Sequence, residues 1–246
     1  TNPFLKAKGA STSSASTSVP NIHDAVALHQ LGDLSQAEAI YLQLLTINPK
    51  NSEALQLLGA VALEKGNYQH ALELIGLAIE INPKVPSYHS NRGLALKELN
   101  EFEDAIACFD KAIVLDPAYA EAYSNRGAAL IRLNLLDFAV ASCNKAIALN
   151  SCLVEAYSNL GLALQGLRKL DAAVLNFEKA ISLNPNYVQA YSNRGNVLQE
   201  LKQFDAAIDS YNKAIILKPD FAEVYYNRGA ALKELKYFDA AIDSYD

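Results

Sequence analysis

Proline recurs in this chain every 34 residues, and this period limits the possible folds more than any other feature. The prolines on the grid are Pro49, Pro83, Pro117, Pro185 and Pro219. Ser151 occupies the one grid point that lacks proline. A fixed period of this length is typical of a solenoid in which each repeat packs on its neighbours. In this frame residues 18–246 divide into six complete repeats and a seventh that stops at Asp246.

Each repeat is predicted to form two helices. Positions 4, 7, 8 and 11 of a repeat share one helical face, which we expect to lie in the core. A break follows, with residue types that tolerate the left-handed conformation of a helix C-cap: Gly32, Gly66, Asn100 and Asn134. Arg168, Lys202 and Lys236 take this place in later repeats, which requires another geometry or some strain. The second helix opens beside an acidic residue, as at Asp137, Asp171, Asp205 and Asp239, and proline stops it.

A small residue on the first helix is matched by an alanine twelve residues later. The pairs are Ala25/Ala37, Gly59/Ala71, Gly93/Ala105, Gly127/Ala139, Gly161/Ala173, Gly195/Ala207 and Gly229/Ala241. Glycine inside a helix is less favourable than alanine by up to about 1 kcal/mol, so its recurrence needs a packing reason. We expect the two helices of a repeat to cross at these pairs.

These residues resemble the tetratricopeptide repeat family. The shared features are the 34-residue period, the small residue at position 8, alanines at positions 20 and 27, and proline at position 32. Position 24 is aromatic in most repeats, as in Tyr41, Phe109, Phe177, Tyr211 and Tyr245. The resemblance implies an all-α, right-handed superhelical solenoid of antiparallel helix pairs, with the first helices lining a concave groove.

The sequence predicts three segments. Residues 1–17 are rich in Ser and Thr and are expected to form a flexible tail, or to lie in a groove as a pseudo-ligand. Residues 18–85 hold two divergent repeats, which we interpret as an N-terminal cap. Residues 86–246 form the main array, whose last repeat is incomplete.

Asparagine occupies position 6 in five successive repeats. This ladder consists of Asn91, Asn125, Asn159, Asn193 and Asn227. Because a side-chain amide offers both a donor and an acceptor, a row of amides can bond the backbone of an extended peptide. Asn196, at position 9, is predicted to join this surface. The alternative is that duplication copied the asparagines, or that they bond neighbouring helices.

Carboxylates flank the ladder, with Glu121 and Glu155 at position 2 among the predicted peptide-binding residues. They favour a neutral or basic partner. The net charge of −6 argues against nucleic acid. No apolar stretch is long enough to span a membrane, and no signal-peptide pattern occurs, so a cytoplasmic location is expected. Cys108, Cys143 and Cys152 are interpreted as reduced thiols, and no catalytic, metal-binding or cofactor-binding motif is present.

The sequence therefore predicts a non-enzymatic scaffold that binds an extended peptide or protein segment. Two alternatives remain. The motif Tyr-Ser-Asn-Arg/Leu-Gly occurs at residues 123–127, 157–161 and 191–195. It resembles the sequence of the tetratricopeptide superhelix in protein O-linked N-acetylglucosamine transferases. With the abrupt end at Asp246, it suggests the substrate-recruiting arm of a larger glycosyltransferase. The other alternative is a self-assembling solenoid, joined through exposed Ala241, Ile242 and Tyr245 at its open end.

Overall fold

A computed structural model describes residues 21–245, and all regular secondary structure within this range is α-helical. The predicted all-α array of helix pairs is confirmed. The predicted tail at residues 1–17 lies outside the described residues. The chain divides into two compact units, one ending at Leu115 and the other beginning at Asp116.

The first unit contains three helix pairs in its described part. The helices are α1 (Ile22–Gln30), α2 (Leu34–Ile47), α3 (Ser52–Glu64), α4 (Tyr68–Ile81), α5 (Pro86–Glu98) and α6 (Phe102–Leu115). Each odd-numbered helix packs on the helix that follows it. Helices α2 and α4 also pack on the first helix of the next pair, and α3 contacts both α1 and α5.

The second unit contains four helix pairs in its described part. The helices are α7 (Ala120–Arg132), α8 (Leu136–Leu149), α9 (Val154–Gly166), α10 (Leu170–Leu183), α11 (Val188–Glu200), α12 (Phe204–Leu217), α13 (Ala222–Glu234) and α14 (Phe238–Tyr245). The first helices α7, α9, α11 and α13 contact one another in sequence order. Position 6 of these four helices therefore recurs on neighbouring elements.

The turn inside each pair has the predicted left-handed residue. Gly32 and Gly66 have φ values of 82° and 75°, and Asn100 and Asn134 have values of 63° and 58°. Arg168, Lys202 and Lys236 adopt the same conformation, at φ values of 61°, 61° and 66°. These three turns were expected to have either another geometry or some strain, and the structure shows the strained left-handed conformation. The geometry is retained because it closes the helix: the Lys202 N–H donates to Gln199 O at 2.9 Å, and the Gln203 N–H donates to Leu198 O at 2.9 Å.

The starts of the second helices agree with the charge pattern. Asp137, Asp171, Asp205 and Asp239 each lie in the first turn of their helix. A carboxylate there is stabilised by the positive end of the helix dipole. The predicted role of these four residues at helix starts is confirmed.

From α3 onward, the glycine of each first helix has a nearer neighbour than the one predicted. A Cβ atom built on Gly161 would lie 2.7 Å from the ring of Phe177, and one on Gly127 would lie 2.6 Å from Sγ of Cys143. These neighbours stand sixteen residues along the chain, not twelve. The predicted crossing is confirmed at two pairs, since a Cβ on Gly59 would lie 3.5 Å from Ala71 O and one on Gly127 would lie 3.6 Å from Ala139 O. The side chain at position 24 is nearer than the alanine because it fills the space over the glycine.

The buried surface of each first helix is wider than the predicted face. In α7, Gly127 and Leu130 are buried as expected, but Tyr123 is only half-buried. Ala122 and Ser124, at positions 3 and 5, are buried as well. The reason is that α7 packs on its own second helix, α8, and also on the next first helix, α9. The predicted face accounted for one of these contacts.

Candidate functional site

The candidate site is the exposed side of the first helices in the second unit. We define the asparagine face by the side chains Asn125, Asn159, Asn193, Asn196 and Asn227, all of which are half-buried. Asn91 has the equivalent place on α5 in the first unit and is also half-buried. Half-burial leaves part of each side chain accessible to a partner.

Asn159 is bonded to the preceding first helix. Its Nδ2 donates to the backbone oxygen of Ser124 at 3.2 Å and approaches Ser124 Oγ at 3.3 Å. Ser124 is almost completely buried between the helices. At this repeat the asparagine joins neighbouring helices, which was one of the alternatives for the ladder, and its Oδ1 atom remains for other contacts.

Asn227 and Asn196, which lie in adjacent repeats, form a hydrogen bond with each other. Asn227 Nδ2 donates to Asn196 Oδ1 at 3.0 Å. The same Oδ1 accepts from the hydroxyl of Tyr211, whose oxygen lies 2.9 Å away. Burial raises the pKa of Tyr211, so the hydroxyl remains protonated and able to donate.

The other ladder residues are not held in this way. Within residues 21–245, the side chains of Asn91, Asn125 and Asn193 form no hydrogen bond. Their amides keep both donor and acceptor groups free for solvent or a partner. The asparagine face is therefore not uniform in hydrogen bonding.

The charges beside the asparagine face are predominantly negative where they are exposed. Glu121 and Glu155 lie in the first turns of α7 and α9, and both are exposed. Arg194 is directed towards the preceding second helix, where its guanidinium lies 3.0 Å from a carboxylate oxygen of Glu178. Because this cation is already paired, it offsets the exposed carboxylates less than its formal charge suggests.

Arg228 is likewise held within the helix array. Its Nε donates to Ser244 Oγ at 3.1 Å, and its Nη1 donates to Asn212 Oδ1 at 3.1 Å. The guanidinium also lies over the ring of Tyr225, 5.3 Å from the ring centroid. Arg194 and Arg228 therefore both lie at the contact between neighbouring repeats.

The cysteines form no disulfide in the described part of the chain. Cys143 is completely buried, and burial raises the pKa of its thiol from 9.0 to about 12. Burial also raises the pKa of Cys108, with the guanidinium of Arg92 acting in the opposite direction and Asp104 adding to the rise. Cys152 is exposed. A buried, protonated thiol such as Cys143 is a packing group rather than a nucleophile.

A second surface feature lies at the last helix pair. Pro219, Tyr225, Tyr226 and Tyr245 are among the residues that line an open cleft of about 450 Å³. Ile242 and Tyr245 are exposed as predicted, at 57% and 47%. Ala241 is buried and was wrongly included in the exposed set, because it faces α13 inside its own helix pair.

Two residues of the candidate site were not identified from sequence. Ser124 was overlooked because a serine beside a ladder asparagine gives no sign of burial. Tyr211 was assigned only to the aromatic position of the repeat. The sequence did contain one indication of its role. Tyr211 and Asn196 are both polar, whereas the preceding repeat has the apolar residues Phe177 and Leu162 at the same positions.

No helix among residues 21–245 is long and apolar enough to cross a membrane.

Models of repeat families match most of the chain. A model described as TPR repeat matches residues 94–134 and 195–236, and models described as tetratricopeptide repeat match residues 28–93, 154–187 and 176–209. The chain belongs to the tetratricopeptide repeat family. No curated protein sequence matches it.

Solved structures share the fold. MamA is 29% identical, with 62% of this chain and 90% of that chain covered and a TM-score of 0.56. A tetratricopeptide repeat protein from Parabacteroides merdae is 22% identical, with coverages of 91% and 88% and a TM-score of 0.71. YrrB, described as a TPR protein with an unusual peptide-binding site, is 19% identical, with coverages of 80% and 97% and a TM-score of 0.57. Family and fold together support a protein–protein interaction scaffold.

Proposed function

We propose that this chain is an interaction scaffold that binds an extended, neutral to basic protein segment on its asparagine face. The observation that carries the proposal is the recurrence of half-buried asparagine on the adjacent helices α7, α9, α11 and α13. Asparagine is a mediocre helix former, so its repeated use inside helices needs a reason besides helix stability.

The chemistry of the surface favours main-chain recognition. Amide groups bond the N–H and C=O groups of an extended segment without regard to its side chains. Exposed Glu121 and Glu155 add attraction for Lys or Arg in the partner and disfavour acidic segments. Asn91, in the first unit, is proposed to provide the same kind of contact.

Alanine substitution of Asn125, Asn159 and Asn193 together tests this proposal. The probe is a dodecapeptide selected from a random phage-displayed library on the wild-type protein, with affinity measured by fluorescence anisotropy. We expect the triple variant to bind the peptide at least about tenfold more weakly, since each lost hydrogen bond is worth about 1 kcal/mol.

Asn144→Ala combined with Asn186→Ala is the matched control, because both asparagines are exposed and lie outside the asparagine face. Circular dichroism establishes that each variant remains helical. Equal affinity of the triple variant and the wild type would exclude the asparagine face as the binding surface, as would failure of the library to give any binding peptide.

A second candidate function is self-association through the last helix pair. Tyr226, Phe238 and Ile242 are exposed at 66%, 58% and 57%, which is an unusual concentration of large apolar side chains. Light scattering across a dilution series should show an average molar mass that falls on dilution. At the same concentration, the Ile242→Lys variant should have a lower average mass than the wild type. A constant monomer mass at high concentration would exclude this function.

A further inference from the structure

The sixth repeat, residues 188–221, contains a polar contact where the preceding repeat has an apolar one. Asn196 replaces Leu162, and Tyr211 replaces Phe177. Leu162 packs against the cluster that contains Phe177, whereas the Tyr211 hydroxyl lies 2.9 Å from Asn196 Oδ1 and 3.0 Å from Gln199 Oε1. Burying a hydroxyl and an amide brings no packing advantage over Phe and Leu, because both groups must be desolvated. The substitution therefore points to a role beyond packing.

The hydrogen bonds fix the orientation of the Asn196 amide. Its Oδ1 accepts from the Tyr211 hydroxyl and from Asn227 Nδ2. A carbonyl oxygen has two lone pairs, so both are used. Rotation of the amide by 180° would place Nδ2 opposite Asn227 Nδ2, which cannot accept, and that bond would be lost. Tyr211 is completely buried and cannot follow such a movement.

Two polar atoms of this arrangement remain available. Asn196 Nδ2 and Asn227 Oδ1 have no hydrogen-bond partner among residues 21–245, and neither is enclosed by the protein. They belong to amides that are joined by one N–H···O bond. The two linked amides therefore offer one donor and one acceptor on the asparagine face.

We propose that Tyr211 is a positioning residue that fixes Asn196 and Asn227 as a donor–acceptor pair, which binds an N–H and a C=O group presented together by the partner. The inference rests on the proposed function and names the chemistry of one point on that surface. A residue of an extended strand presents its N–H and C=O on the same side, and the carboxamide of Asn or Gln carries the same two groups.

The pair differs from the rest of the asparagine face. Asn159 has its Nδ2 engaged with Ser124, so the atom it offers is an acceptor. Asn125 and Asn193 have no partner within the described residues that fixes them. The Asn196–Asn227 pair is thus the oriented two-point contact of the face, and it gives a bound segment a defined register.

Two variants remove this orientation while keeping the packing of the repeat. Tyr211→Phe deletes the hydroxyl, and Tyr211→Phe with Asn196→Leu reproduces the Phe177 and Leu162 combination of the preceding repeat. With the library-selected dodecapeptide as probe, we expect the affinity to fall about fivefold for the single variant and at least about tenfold for the double variant. Tyr41→Phe is the matched control, because Tyr41 is equally buried at the same repeat position and its hydroxyl has no partner.

The source of the partner's two groups is resolved on the peptide. One set of peptides replaces each backbone amide in turn by an ester, and another replaces each Asn or Gln by Leu. If the pair binds the main chain, one ester substitution should weaken binding to the wild type but not to the Tyr211→Phe protein. If the pair binds a side chain, one Leu substitution should show this difference instead. A merely structural role of Tyr211 would leave all such losses unchanged, and that result overturns the inference.

The outcomes also separate the two proposals. If the triple alanine variant weakens binding but Tyr211→Phe and the double variant do not, the donor–acceptor pair is rejected and the proposed function stands. If none of these variants changes the affinity, the asparagine face is rejected, and the inference with it.

Discussion

At the scale of single residues, the left-handed turns show how the repeat imposes a backbone conformation on unsuitable side chains. Lys202 has a φ of 61°, a region in which a residue with a Cβ atom is strained by about 1 kcal/mol or more. Lys202→Gly should therefore raise the free energy of unfolding by up to about 1 kcal/mol, as measured by urea denaturation. Lys213→Gly, inside α12, is the control and should lower it by about 1 kcal/mol. A loss of stability with Lys202→Gly would contradict the strain.

Tyr41 carries a buried hydroxyl that has no hydrogen-bond partner. Such a group costs roughly 1–3 kcal/mol when it is desolvated. Tyr41→Phe should stabilise the protein by about 1 kcal/mol in thermal or urea unfolding. Tyr211→Phe, which removes a bonded hydroxyl, should destabilise it by about as much. Equal effects of the two substitutions would show that the hydrogen bonds of Tyr211 do not matter for stability.

The thiol of Cys143 makes stability depend on alkaline pH. Its pKa is raised in the fold from 9.0 to about 12, so the folded state retains a proton that the unfolded state releases. This stabilisation is complete below pH 9 and is lost as the pH rises from 9 to 12, at about 1.4 kcal/mol per pH unit. Urea unfolding of the wild type between pH 8 and pH 10.5 should show this loss, and Cys143→Ala should show a smaller one. Identical pH slopes would contradict the burial effect.

At the scale of the helix, a glycine of the first helix faces position 24 of the same repeat in each pair from α3 and α4 onward, whereas α1 has Ala25. A Cβ on Gly127 would lie 2.6 Å from Cys143 Sγ, which is closer than side chains approach. Gly127→Ala should therefore destabilise the protein by about 2 kcal/mol.

The same substitution in a Cys143→Ala background should cost much less, because the sulfur is gone and alanine is the better helix former. A double-mutant cycle by urea denaturation should give a coupling of about 1–2 kcal/mol. Additive effects would mean that Gly127 is required for a reason other than this contact.

At the scale of the whole molecule, the burial of the helices predicts a gradient of stability. Among its described residues, α1 buries only Ala25 and α14 buries only Ala241 and Ser244, whereas α9 buries six residues, including Leu160 and Leu164. Because repeats are stabilised by contacts with their neighbours, weakly buried helices open first. Hydrogen exchange followed by mass spectrometry should show early exchange in α1 and α14 and late exchange in α9. Uniform protection would contradict this gradient.

Much of the architecture could be predicted because it repeats. The period, the two helices per repeat, the left-handed turn and the acidic helix starts are local patterns, and each occurs often enough to be recognised. Residues such as Ser124 and Tyr123 were harder to place. Their surroundings come from two other helices, α8 and α9, and a helical period read from one segment describes a single face.

The sequence alone determined the family, the order of the helices and the asparagine at position 6 of five repeats. Only the tertiary structure decided what the asparagines contact: Asn159 bonds Ser124, whereas Asn227 bonds Asn196 and through it the buried Tyr211. The physical reason is range and direction. Helix formation is governed by residues three or four apart, but a hydrogen bond requires two atoms from different repeats to meet at about 3 Å with the correct orientation. A repeating sequence places the same kinds of atoms at equivalent positions in every repeat. The packing of neighbouring helices decides which of these atoms form hydrogen bonds.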